Sequence, residues 1–281
     1  MRQSQKSYWN LYKFEIKQNY KPFLVWLAAI LIIMTLFMLT FPSFKSSDYL
    51  ELVNAKINAL PKGFGAAFGL GGITGVSFQD IFFFFSYMSQ FFVIAIIIYS
   101  INLGSNILAK ENNENHIDYL ATKPIMKSSI ILAKYKALVT FIILITLGLF
   151  IVGCILIPAL NKDGSPFIYE LTRLTIKTFL VYLFFGTLAF SLTAISRRTS
   201  KRNMVVVAAF FISFLVGVYA QIQPQQEKLK YLAPTFVFEA TTAGYKFSSA
   251  DIWYMLALFG LSMVLLIIAY WRYTTKDLSL S

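Results

Sequence analysis

Six apolar stretches, each long enough to cross a lipid bilayer, constrain this 281-residue chain more than any other feature. They run over 22–41, 81–108, 137–157, 178–195, 204–222 and 252–271, and a helix needs about 20 residues to traverse a hydrocarbon core. Backbone N–H and C=O groups in lipid must find partners within the protein, which leaves helices and closed barrels as the spanning structures. The stretches are continuously apolar and do not alternate with a period of two, so they read as helices. The second exceeds what the bilayer requires, and either tilts or continues beyond it. Composition agrees: 57% of residues are hydrophobic and 14% charged, against about 25% charged in ordinary soluble domains. A water-soluble fold of this length would leave large apolar patches exposed. The expected fold is an all-α integral membrane protein, one transmembrane domain over 1–281.

Orientation follows from the placement of Lys and Arg, which accumulate on the cytoplasmic side. Before the first stretch come Arg2, Lys6, Lys13, Lys17 and Lys21; between the second and third come Lys110, Lys123, Lys127, Lys134 and Lys136. Arg197, Arg198, Lys201 and Arg202 separate the fourth from the fifth, and Arg272 and Lys276 follow the sixth. With 16 of 25 cations on that side, both termini are expected to be cytoplasmic. Residues 2–21 mix Tyr8, Trp9, Tyr12 and Phe14 with cations, the pattern of an amphipathic helix lying in the cytoplasmic interface. The outer segment 43–79, rich in glycine, suggests a short helix and then turns, and 223–250 is a second sizeable outer loop. The first stretch runs into Pro42-Ser43-Phe44-Lys45 and not a small-residue cleavage site, so it is expected to remain as a span. Abundant Ile, Lys, Phe, Tyr and Asn suggest a bacterial source.

The chemistry missing from the chain narrows its function. It has no Gly-x-x-x-x-Gly-Lys-Ser/Thr phosphate loop, no His-Glu-x-x-His and no Gly-x-Ser-x-Gly. One histidine, His116, and one cysteine, Cys154, make a zinc site a poor prospect. No catalytic residue, metal, bound cofactor or nucleic-acid partner is expected. The six stretches as bounded contain no Asp, Glu, Lys, Arg or His, whereas ion-coupled carriers place such groups in mid-membrane. Arg173 and Lys177 fall at the outer mouth of the fourth, where long cations can snorkel. Uphill transport would then draw its energy from a partner. Ser86, Gln90 and Asn102 are polar positions in the second stretch, suited either to helix packing or to substrate contact. The run Phe82–Phe85 faces lipid or another helix, or lines a substrate path.

The cytoplasmic link 109–136 places Glu111, Glu114 and Asp118 ahead of Tyr119 and Leu120; Pro124 interrupts it, and Lys127 and Lys134 lead into the third stretch. Its acidic residues either touch a partner or form a solvated face. A polar, kinked helix pair in this position resembles the coupling-helix region of ABC-2-type permeases, the membrane subunits of bacterial ABC exporters. Glu111, Ile117, Asp118, Leu120, Pro124, Lys127 and Lys134 fill that frame; Asn115, His116 and Ala133 depart from it where Gly, Thr and Gly are usual. Leu60-Pro-Lys-Gly-Phe-Gly-Ala-Ala-Phe-Gly-Leu70, Tyr231-Leu-Ala-Pro-Thr-Phe-Val-Phe238 and Tyr273-Thr-Thr-Lys-Asp-Leu278 are similar to other elements of the family. The resemblance implies a dimer of identical or related permeases, each docking a cytoplasmic ABC ATPase that carries the ATP and Mg. It further implies Glu111, Glu114, Asp118, Tyr119, Leu120, Pro124 and Lys127 as the ATPase-coupling residues. The uncharged, aromatic stretches point to an amphipathic or hydrophobic cargo, such as a peptide toxin, a bacteriocin, a drug or a phenol-soluble-modulin-like peptide. The alternatives are a membrane immunity or scaffold protein that transports nothing, and an ion-coupled carrier.

Overall fold

The computed structural model describes residues 2–45, 47–61, 78–113, 126–161, 167–195, 200–223, 228–229, 231–234 and 249–275. All regular elements among them are helical: α1 (Arg2–Leu39), a 3-10 turn (Phe41–Lys45), α2 (Ser47–Ala59), α3 (Ile81–Asn113), α4 (Lys127–Leu160), α5 (Ile168–Ile195), α6 (Ser200–Ile222) and α7 (Ser249–Thr275). Six of these, α1 and α3 to α7, are long and apolar enough to span a membrane. The short outer helix expected after the first span is α2.

The helices outrun the apolar stretches that announce them. Helix α4 starts at Lys127 and α5 at Ile168, each well ahead of its apolar run, because a helix satisfies its own backbone whether or not its side chains are greasy. The charges on these extensions do not all reach for water. Arg173 is 4% exposed and Lys177 1%, so both lie inside the bundle, and the snorkelling expected of them is not observed. Helix α1 is likewise longer than its apolar run, and it does not stop at Pro22. Residues 2–21 are helical, as the mixed aromatic and basic pattern suggests, but they form one helix with the first span.

Helix α5 is the centre of the bundle and packs against α3, α4, α6 and α7. Of its apolar window 67% is buried, against 22% for α6 and 17% for α7, so those two present broad apolar faces outward. The α3–α5 contact is the most intimate, and small residues permit it. A Cβ on Gly104 would collide with the Gly186 carbonyl. Beyond the C-terminal end of α1, the Phe44 ring lies edge-on or tilted against Tyr49 (4.6 Å), Phe84 (4.8 Å) and Phe78 (6.0 Å), joining the 3-10 turn, α2 and α3. Phe84 and Phe85 are buried while Phe82 and Phe83 are half-buried, so the Phe82–Phe85 run serves inter-helix packing.

Candidate coupling site

One face of α1 is buried from Glu15 to Met38. Glu15, Asn19, Phe23, Ile30, Met34 and Met38 are all buried, and their spacing of four or seven residues is that of a single helical stripe. The stripe runs through Pro22 without changing face. Pro22 itself is exposed, so its ring projects away from the packed side. Packing of the stripe on α4 and α3 offsets the cost of a proline inside a helix, which is about 3 kcal/mol.

Toward the N-terminus the stripe becomes polar. Glu15 and Lys134, each 2% exposed, form an ion pair in which Lys134 Nζ lies 2.7 Å from Glu15 Oε1. The same ammonium donates to the Ile107 carbonyl of α3, also at 2.7 Å. One turn along α1, Asn19 Nδ2 donates to the Glu15 carbonyl at 2.9 Å. Lys134 therefore ties α1, α3 and α4 together at one point. A buried charge without partners is costly, and paired and hydrogen-bonded it is tolerated.

Further contacts lie beside this joint. Tyr12 Oη and Thr140 Oγ1 share a hydrogen bond of 3.0 Å between α1 and α4. Lys136 Nζ sits 4.2 Å from the Trp9 ring centroid, 5.2 Å from Tyr12 and 5.9 Å from Tyr8, within cation–π range of all three. Phe14 points outward, 58% exposed. Tyr8, Trp9 and Tyr12 thus meet α4, and of the four aromatics singled out in the sequence Phe14 is the one turned fully away.

The link that follows is framed by these helices. Glu111 belongs to the last turn of α3 and Lys127 opens α4, behind Met126 in an extended conformation. Glu114, Asp118, Tyr119, Leu120 and Pro124 lie outside the described residues, as does His116. Of the polar positions in α3, Ser86 is buried and Gln90 half-buried, while Asn102 Oδ1 accepts from Asn203 Nδ2 of α6 at 3.2 Å. A groove of about 450 Å³ opens between α5 and α7, lined by Tyr169, Leu180, Ile252, Met255, Leu256 and Phe259. No cluster of metal-binding side chains occurs among the described residues.

Comparison with protein families decides what this architecture belongs to. The profile of the ABC-2 family transporter proteins matches residues 9–278. The chain belongs to that family. It is a multi-pass plasma-membrane protein and the permease subunit of an ABC transporter, a class that works with an ABC ATPase. Comparison with curated proteins returns no match.

In this ABC-2 permease, sequence reasoning passed over Glu15 and the part Lys134 plays beside it. Two signals were available. Glu15 is the first acidic residue of the chain, set among six cations before Asp48, and it falls in register with the apolar stripe of α1. An acid on the apolar stripe of a basic helix calls for a buried cation. Its partner, 119 positions away, is not visible in any local pattern.

Proposed function

We propose that this permease is the membrane half of an ATP-driven exporter whose cargo is amphipathic or hydrophobic. Candidate cargoes are a peptide toxin, a bacteriocin, a drug or a phenol-soluble-modulin-like peptide. Two copies, or this chain and a paralogue, assemble face to face, and each docks one cytoplasmic ATPase that binds the ATP and Mg. The link 109–136 receives the ATPase, through Glu111, Glu114, Asp118, Tyr119, Leu120, Pro124 and Lys127. ATP-driven closure of the ATPase pair pushes on this link and rearranges the bundles at their shared face.

The observation that carries this reading is the framing of the link. Both of its flanks are rigid helices, α3 to Asn113 and α4 from Lys127, locked to each other and to α1 by Lys134. A push on the link has firm levers to act on. The apolar α5–α7 groove, with Tyr169 and Phe259 in its wall, suits a greasy cargo. Ser86, Gln90 and Asn102 serve helix packing, consistent with the Asn102–Asn203 bond.

Inside-out vesicles containing the permease and its ATPase test the proposal. They should accumulate a fluorescent amphipathic peptide when ATP and Mg are supplied, and right-side-out vesicles given external ATP should not. Absence of ATP-dependent uptake across a panel of peptide and drug probes would favour a non-transporting scaffold.

A further inference from the structure

We propose that Glu15 and Lys134 are positioning residues that carry the ATP-driven displacement of the link into the first span. The proposal rests on the reading above, in which an ATPase pushes on 109–136, and it adds where the push goes. Lys134 lies about two turns into α4 and Ile107 about two turns before the end of α3. The ammonium that joins them therefore closes the base of the link, and Glu15 attaches α1 at the same point.

Stability alone does not account for such a pair. Desolvating two charges costs as much as their attraction returns, and neutral apolar replacements of similar size are often tolerated or even stabilising. What a short, charge-assisted hydrogen bond supplies is direction. Apolar helix faces slide past one another in shear. A contact of 2.7 Å between buried opposite charges does not slide. The Tyr12–Thr140 bond and the aromatic rings around Lys136 fix the rotation of α1 on the other side of the joint. Because α1 continues unbroken to Leu39, movement of its cytoplasmic half must appear at its outer end.

The test uses the permease with its ATPase in proteoliposomes, in a Cys154→Ser background, and needs no cargo. An environment-sensitive fluorophore on Leu39→Cys, a site 58% exposed, reports the outer end of the first span. In the otherwise native protein, ATP binding should change its signal. Glu15→Met/Lys134→Met removes both charges and leaves neither one orphaned. That variant should insert, bind the ATPase and hydrolyse ATP, while the ATP-induced signal falls on the order of tenfold, the usual scale of coupling between sites. A signal as large as in the native pair would overturn the proposal, and so would a native protein whose first span does not respond to ATP. If the variant fails to insert, a second measurement decides on the native pair. Spin labels on Lys17→Cys and Leu132→Cys, both exposed, should keep their separation between nucleotide-free and ATP-bound states, and a changed separation would refute the joint. Failure of the ATPase to bind the native permease would instead remove the reading on which the proposal rests.

Discussion

At the scale of single residues, the bundle depends on where small side chains and buried charges fall. Gly104 is needed for space, because a Cβ there meets the backbone carbonyl of Gly186 and α3 and α5 would have to separate. Gly104→Val should lower resistance to denaturing detergent by at least the 1–3 kcal/mol typical of overpacking, about what a forced side chain costs in a dense core. Gly260 has nothing within 4 Å, so Gly260→Ala should be neutral or stabilising by about 0.5–1 kcal/mol. Equal behaviour of the two variants in such a titration would contradict the packing described. The meeting of Gly104 with Gly186 joins distant segments, and no local pattern in the sequence announces it. Glu15 and Lys134 likewise carry visible chemical signals whose pairing depends on a contact between distant segments.

At the scale of helices, periodicity and length did most of the work and charge misled. Five of the six apolar runs lie wholly within a helix and the first overruns α1 by two residues, because an apolar run of that length has no other stable form in lipid. The boundaries were drawn where charges begin, and Lys134, Arg173 and Lys177 then proved to be buried within helices. Residues 2–21 read as an interfacial helix apart from the span at 22–41, yet α1 is one helix and its buried stripe from Glu15 to Met38 crosses that boundary. Whether the outward face of the N-terminal part of α1 rests on lipid can be read from Trp9. With Trp26, Trp253 and Trp271 replaced by Phe, Trp9 emission should be blue-shifted and shielded from iodide in proteoliposomes. Trp9 is 46% exposed and its ring lies against Lys136, so lipid must supply the remaining shielding. Full quenching by iodide would place this face in water.

At the scale of the whole molecule, the family and the membrane fold were legible because topology, charge bias and several degenerate motifs occur in a fixed order along the chain. Cargo was not, since no motif along the chain encodes a particular ligand. Orientation can be checked by cysteine labelling in the Cys154→Ser background. Cysteines at Ser4 and Asn115 should resist an impermeant reagent from outside, and cysteines at Ser47 and Ser165 should react. Reaction at Asn115 from outside would put the link on the wrong side for an ATPase. The central claim is that the link 109–136 binds the ATPase that drives this permease, and reversing its charge tests this most directly. Glu111→Lys/Asp118→Lys changes two charges on the link, and surface changes seldom shift stability by more than about 0.5 kcal/mol. Like charges set against a complementary partner cost several kcal/mol. The account predicts normal membrane levels, a sharp fall in ATPase recovered with the permease, and loss of ATP-driven export, while Asp48→Lys/Glu51→Lys in the outer segment leaves all three unchanged. A link variant that retains its ATPase and exports like the native protein would contradict it.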